Sequence, residues 1–114
     1  MRPRLAATPE VLYIAAMNKR EAIAGLKRHA EAVKALGATS LYLFGSVARD
    51  EAKEQSDLDL FIDYDPEGKF SLLELVGIKL LLEDKLGVNV DVTTRDSLYP
   101  MLRADIEHSA VRVF

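Results

Sequence analysis

The chain of 114 residues contains no cysteine. It can therefore form neither a disulfide nor a thiolate metal site, and it is compatible with a reducing compartment. It also has no run of eighteen apolar residues and no basic-then-apolar leader that ends in a cleavage site. Nothing in it therefore indicates export or membrane insertion, and we expect a cytoplasmic protein that makes no membrane contact.

The chain has no excess of basic residues, since its formal net charge is −3. A nucleic-acid-binding protein usually shows a basic stripe, so we expect no direct binding of nucleic acid. Apolar residues make up 49% of the chain and charged residues 29%, which is ordinary for a globular protein. A chain of this length has enough residues for one core and too few for two, so we expect one domain.

Residues 40–63 are the most informative stretch of the sequence. They read as a buried strand, a Gly45-Ser46 turn that opens a short helix, a polar loop and a second strand. Asp57 and Asp59 alternate on that second strand and therefore leave the same face of a sheet. Two carboxylates held this close repel each other, and a divalent cation on oxygen ligands, completed by phosphates, is the usual remedy.

A third carboxylate lies in the segment from Val88 to Thr93, where valines alternate with polar residues. The alternation predicts a strand whose polar face carries Asn89, Asp91 and Thr93. If this strand neighbours the strand of Asp57 and Asp59, all three carboxylates lie on one sheet face.

Three motifs together resemble the polymerase-β-type nucleotidyltransferase superfamily. They are G-S-V-A-R at 45–49, S-D-L-D-L at 56–60 and V-N-V-D-V-T-T at 88–94, with ten residues between Ser46 and Asp57. Within that superfamily the chain is similar to the minimal nucleotidyltransferases, the MNT antitoxins that pair with HEPN toxins. The resemblance covers residues 17–114. It implies an α/β (α+β) nucleotidyltransferase fold, with helices packed on a small mixed sheet of three to four strands.

The resemblance also implies an activity and a set of site residues. A protein of this kind transfers AMP from ATP to a tyrosine of a partner HEPN ribonuclease toxin, with two Mg²⁺ ions at the site. The positions that match the family's metal-binding and catalytic carboxylates are Asp57, Asp59 and Asp91. The positions that match its nucleotide-binding residues are Gly45, Ser46 and Arg49. Arg49 could instead form an ordinary surface salt bridge.

One position departs from the resemblance. Relatives commonly carry glycine after the arginine of the first motif, and here that residue is Asp50, followed by Glu51. A carboxylate beside a triphosphate would repel it unless the side chain points away. This leaves open a non-catalytic antitoxin that neutralises its partner by binding. A small-molecule nucleotidyltransferase of the aminoglycoside-modifying kind is a third reading, but such relatives carry an additional helical portion.

The remaining segments predict helices around this centre. Residues 1–16 fall outside the resemblance and read either as an upstream-start extension or as a longer first helix. From Asn18 to Leu36 an apolar stripe predicts one helix that ends at Gly37, with His29 as a packing histidine. The helix over Leu72–Leu86 is apolar on most sides. It is therefore either sunk in the core or in contact with a second subunit or a partner.

Three expectations concern the strands and the last helix. Leu41 to Phe44 is apolar throughout, which predicts a central strand covered on both faces. Asp63 and Asp65 lie beyond the active end of their strand, and we expect them to face a loop. Asp96 or Ser97 is expected to cap a helix that runs through Glu107, before a closing edge strand at Val111–Phe114.

Overall fold

The fold is a four-stranded mixed sheet with helices. A computed structural model describes residues 17–52 and 57–114, and the prediction for residues 1–16 lies outside this range. The helices are α1 (Lys19–Arg28), α2 (Ala30–Ala35), α3 (Gly45–Ala48), α4 (Leu72–Leu86) and α5 (Pro100–Ser109). The strands are β1 (Ala38–Phe44), β2 (Leu58–Tyr64), β3 (Val90–Thr94) and β4 (Val111–Arg112). The predicted fold class is confirmed.

The sheet has the order β3-β2-β1-β4. β1 runs antiparallel to both β2 and β4, whereas β2 and β3 are parallel. The parallel pair is possible because α4 lies between β2 and β3 in the chain and provides the crossover. The acidic ends of these two strands therefore lie side by side.

The core lies on one face of this sheet. Its fully buried strand residues are Leu41, Leu43, Leu58, Leu60 and Ile62. The helices add Leu26 from α1, Val33 from α2, and Ile78 and Leu82 from α4. Because side chains alternate along a strand, burying the leucines fixes Asp59 on the opposite face.

The first helical segment differs from the prediction, because it is broken at His29. The backbone N–H of His29 donates to the carbonyl oxygen of Leu26 at 3.1 Å, which tightens the turn, and the helix restarts at Ala30. The predicted start is confirmed, since Asn18 and Glu21 form a reciprocal capping box. His29 is half-buried at the junction between the two helices.

The prediction that β1 is a central strand covered on both faces is confirmed, and its second face is covered by aromatic rings and a cation. On the face away from the core, Tyr42 stacks on Phe61 with 4.7 Å between ring centroids. The Arg95 guanidinium lies over these two rings, 4.8 and 4.9 Å from their centroids. A cation on aromatic faces therefore covers this part of the sheet.

Arg95 is also the centre of an ion-pair network, which we call the Arg95 clamp. Its guanidinium donates to both carboxylate oxygens of Asp63, at 2.8 and 2.9 Å, and to Glu107 at 2.9 Å. These hydrogen bonds raise the pKa of Arg95 above its already high value. The expectation that Asp63 faces a loop is wrong, because its carboxylate joins β2 through Arg95 to α5.

The last helix begins later than predicted. Asp96 and Ser97 belong to a 3-10 turn, Arg95–Ser97, where both side chains bond the Thr94 hydroxyl at 2.5 and 2.8 Å. α5 starts at Pro100, the first helical position, where a missing N–H has no consequence. The predicted edge strand is confirmed, with β4 pairing to β1.

Helix α4 begins and ends as predicted, with a Ser71–Glu74 capping box and Gly87 in the left-handed region at φ 70°. One side, with Ile78, Leu82 and Leu86, is buried. Another side is exposed, and its apolar members are Leu72, Leu73, Val76 and Leu80. The helix is therefore not sunk in the core. No helix in residues 17–52 and 57–114 is long and apolar enough to cross a membrane.

Two leucines on α4 test this division of its surface. Leu82 is 0% exposed and Leu80 is 58% exposed. We expect Leu82→Ala to lower the free energy of unfolding by about 2–5 kcal/mol, because it leaves a cavity. The matched change Leu80→Ala should lower it by less than about 1 kcal/mol. Urea unfolding of the two variants measures the difference, and equal losses would contradict the assigned faces.

Candidate active site

Two carboxylates lie side by side where the parallel strands begin. Asp59 on β2 is the register partner of Asp91 on β3, which confirms the predicted pairing of these strands. Asp59 is half-buried and Asp91 is exposed. Asp57 lies one residue before β2, on the same side as Asp59, and is also exposed. The three predicted site carboxylates therefore share one face of the sheet.

The glycine turn lies directly against Asp59. Gly45 has φ 78°, in the left-handed region that favours glycine. A Cβ atom placed on Gly45 would collide with the carboxylate oxygen Oδ2 of Asp59. Only glycine therefore allows the β1–α3 turn to approach the acidic residue this closely. The turn and the carboxylates form one continuous site.

The electrostatics of Asp59 follow from this crowding. Burial raises the pKa of Asp59 to about 6, and repulsion from Asp91 and then Asp57 adds to the effect, while the Arg49 charge opposes it. The carboxylate is thus only partly ionised just below neutral pH. A cation at this position would be favoured because it removes the repulsion.

Ser46 lies in α3, the short helix that the glycine turn opens, and Arg49 is the residue that ends this helix. Arg49 forms a salt bridge with Glu51 at 3.0 Å, and both side chains are largely exposed. Arg49 therefore does form the surface salt bridge that was the alternative to a phosphate contact. It is also close enough to Asp59 to lower the pKa of that carboxyl. Ser46 is half-buried, and its carbonyl oxygen accepts a hydrogen bond from the N–H of Glu51 at 2.8 Å.

The structure explains the unusual Asp50. Its φ is 59°, so the backbone at this position is left-handed, which accounts for a preference for glycine. Aspartate is among the few other residues that adopt this conformation. Its carboxylate accepts a hydrogen bond from the backbone N–H of Lys19 at 3.4 Å, at the start of α1. Asp50 is therefore directed to a helix N-terminus, where negative charge is favourable.

The donor set fits a divalent cation such as Mg²⁺, which prefers carboxylate oxygens. Within residues 17–52 and 57–114, however, no three acidic or histidine side chains are already grouped as ligands of one ion. Asp57 and Asp91 are exposed, and exposed side chains change rotamer readily. The geometry thus brings Asp59 and Asp91 together through the backbone and leaves Asp57 and Asp91 free to adjust.

Sequence reasoning missed the Arg95 clamp, although a signal for it exists. Asp63 lies four residues after Asp59, and Arg95 lies four residues after Asp91. Four residues along a strand return to the same face, so the register that pairs the two aspartates also places Asp63 near Arg95.

Replacement of Asp59 by asparagine should stabilise the protein near neutral pH. The ordinary pKa of 3.8 applies in the unfolded chain and about 6 in the folded one, so wild-type stability falls as the pH rises between these values. Asp59→Asn removes this loss. We expect the free energy of unfolding to rise by roughly 1 kcal/mol near pH 7 and not to change near pH 4. The rise is smaller than the full pKa shift of Asp59 implies, because water screens a half-buried group.

Thermal unfolding at the two pH values measures this effect, as a shift of about 4–8 °C per kcal/mol. Asp105→Asn, at an exposed position on α5, is the matched control and should show no pH-dependent gain. Magnesium should raise the melting temperature of wild type more than that of Asp59→Asn. A variant less stable than wild type near neutral pH would contradict the assigned electrostatics.

Asp50 offers a separate test of whether its charge opposes nucleotide binding. Because its backbone is left-handed, Asp50→Ala should lower the free energy of unfolding by about 1 kcal/mol, whereas Asp50→Gly should change it by less than about 0.5 kcal/mol. Calorimetric ATP affinity should be the same for wild type and both variants, since the carboxylate bonds to α1. A tenfold tighter affinity in Asp50→Gly would show that the charge does reach the triphosphate.

Comparisons with known proteins show the family of the chain. The sequence model of the nucleotidyltransferase domain family matches residues 26–113. A relative from Methanocaldococcus jannaschii, named provisionally as a protein adenylyltransferase, is 43% identical over 95 residues, which are 83% of this chain and 92% of the relative.

Two solved structures are similar to the fold. A provisionally named minimal nucleotidyltransferase has a TM-score of 0.72 and 36% identity, over 83% of this chain and 95% of that one. A structure of the tri-AMPylated Shewanella oneidensis HEPN toxin in complex with MNT antitoxin has a TM-score of 0.56. At 14% identity, over 77% of this chain and 68% of that one, the second similarity shows the fold alone. The chain therefore belongs to the nucleotidyltransferase domain family and is a transferase of this class.

Proposed function

We propose that this nucleotidyltransferase is an antitoxin that transfers AMP from ATP to a tyrosine of a HEPN ribonuclease toxin. The observation that carries the proposal is the contact between the Gly45 turn and Asp59, beside Asp91. A glycine turn that approaches a carboxylate pair this closely suits a nucleoside triphosphate held between backbone amides and a metal ion.

In the proposed reaction, each residue has a role that its position supports. The Gly45 and Ser46 backbone, with the Ser46 hydroxyl, holds the β- and γ-phosphates, and Arg49 offers charge-assisted hydrogen bonds to a phosphate. Asp57, Asp59 and Asp91 would hold two Mg²⁺ ions. Bound there, the ions would neutralise the charge that develops on the attacking and leaving oxygens.

The chemistry is a displacement at the α-phosphorus. The tyrosine oxygen forms a bond to this phosphorus, the bond to the bridging oxygen of the pyrophosphate breaks, and pyrophosphate leaves with the electron pair. Asp91 is exposed on the sheet face beside Asp59, and we assign it the role of accepting the tyrosine proton. AMP remains attached to the acceptor through a phosphodiester bond.

The choice of a protein as acceptor rests on the names of the relatives. One is named a protein adenylyltransferase, and a structural neighbour is an antitoxin with an AMPylated HEPN toxin. The exposed side of α4, with Leu72, Leu73, Val76 and Leu80, offers an apolar surface for such a partner or for a second copy. Oligomerisation through α4 stays a prediction.

The non-catalytic alternative rested on Asp50. Because its carboxylate bonds to the N-terminus of α1, the structure gives no reason to prefer an antitoxin that acts by occlusion alone. The two readings still differ in one measurable respect, which is whether neutralisation needs the carboxylates.

Labelled ATP, magnesium and the product of the adjacent gene provide the decisive assay. We expect wild type to label a tyrosine of that partner, and Asp57→Asn/Asp59→Asn to reduce the labelling rate at least about 100-fold, because transition-state charge is no longer stabilised. Asp105→Asn, an exposed carboxylate on α5, should label at the wild-type rate.

Two outcomes would contradict the proposal. Equal labelling by wild type and Asp57→Asn/Asp59→Asn would remove the carboxylates from catalysis. If Asp57→Asn/Asp59→Asn does not label the partner but still neutralises it as efficiently as wild type, neutralisation occurs by binding alone.

A further inference from the structure

The outward face of α1 forms a basic groove beside the glycine turn. One side of α1, with Ala22, Gly25 and Leu26, is buried, whereas Arg20, Ala24 and Lys27 are exposed and Lys19 and Ile23 are half-buried. The residues that line the groove are Lys19, Arg20, Ile23, Ala24, Lys27 and Asp50. Three of these six carry positive charge, and Ile23 and Ala24 add an apolar floor between them.

The groove is joined to the candidate active site through Asp50. Asp50 directly follows Arg49, and the charge of Arg49 lowers the pKa of Asp59. The Asp50 carboxylate accepts a hydrogen bond from the first N–H of α1. Helices α1 and α3 are in contact, and α3 begins with the glycine turn. A molecule that lies along the groove therefore ends next to the place proposed for the phosphates.

The cations of the groove form no ion pair in the described ranges, which is also true of Arg28, Lys69, Lys85 and Arg112. Lys34, Lys79, Arg95 and Arg103 each lie within 4 Å of a carboxylate. Among residues 17–52 and 57–114, no carboxylate forms an ion pair with Lys19, Arg20 or Lys27. These three cations lie on one helix of a chain whose net charge is −3. The groove is thus complementary to an acidic ligand.

We propose that the α1 groove binds an acidic segment of the protein acceptor, next to the tyrosine that receives AMP. The inference rests on the proposed function and names the chemistry of its substrate. Three cations supply the attraction, while Ile23 and Ala24 accept an apolar side chain of the same segment. A nucleic acid fits less well, because the net negative charge of the chain repels a long polyanion.

The test is a binding measurement that needs no ATP. A fluorescein-labelled peptide with one tyrosine flanked by glutamates is titrated with the full chain and followed by fluorescence anisotropy. We expect wild type to bind it with an affinity that falls as salt rises. We expect Arg20→Glu/Lys27→Glu to weaken binding at least tenfold.

A matched variant controls for the change in net charge. Lys69→Glu/Lys85→Glu reverses two exposed cations outside the groove and should weaken binding less than twofold. Circular dichroism and thermal unfolding verify that both double variants are folded. Asp57→Asn/Asp59→Asn should bind the acidic peptide at least as tightly as wild type does, because it removes two negative charges, so loss of catalysis and loss of acceptor binding can be told apart.

Several results would overturn the inference. They are no binding of the acidic peptide by wild type at low salt, equal weakening in both charge-reversal variants, and equal binding of a peptide flanked by lysines. Tighter binding of a single-stranded RNA oligonucleotide that also depends on Arg20 and Lys27 would assign the groove to nucleic acid instead.

Discussion

The proximity of Asp59 to Asp91 is the constraint on which the site depends. The backbone holds the two carboxylates together despite their repulsion, because they are register partners on adjacent parallel strands. The strands cannot separate without exposing Leu58, Leu60 and Val90, which are buried on the opposite face. Hydrophobic burial on one side of the sheet therefore holds like charges together on the other. Like charges held together in this way are common at functional sites.

Four residues further along the same two strands, a cation lies between carboxylates and no like charges are left facing each other. There Asp63 meets Arg95, and Glu107 adds a second carboxylate, so the cation is fully neutralised and covers two aromatic rings. One end of the sheet face is thus closed by an ion-pair network, and the other end keeps uncompensated acid. The difference shows that the negative charge at Asp59 is local. It is not a general property of this surface.

Much of the fold and of the candidate site could be predicted from the sequence. Alternation fixed which face Asp59 occupies, and the capping boxes at Asn18 and Ser71 fixed two helix starts. The interruption at His29 could not be predicted, because the apolar stripe continues through it and only the local hydrogen bonding breaks the helix. Asp96 or Ser97 was expected to cap the last helix, but both side chains instead bond the Thr94 hydroxyl within the 3-10 turn.

The doubt about Asp50 shows a second limit of sequence reasoning. A substitution of glycine by aspartate was interpreted through charge, whereas the structure shows that backbone conformation decides at this position. The requirement for a left-handed residue is met, and the added carboxylate has a partner at the start of α1. A sequence gives the charge of a side chain directly, but it gives neither its direction nor its partner.

The order of effects on Asp59 bears on how the site would respond to a cation. Burial contributes more to its raised pKa than Asp91 or Asp57 does. Packing around Asp59, with Gly45 against its carboxylate, therefore matters more for its proton affinity than the number of neighbouring acids. Protons and cations compete for the same oxygens. Cation binding near neutral pH therefore releases the proton from those molecules in which Asp59 is still protonated. An aromatic or apolar residue near this carboxylate consequently changes the metal affinity without contacting the metal, because it changes the polarity around Asp59.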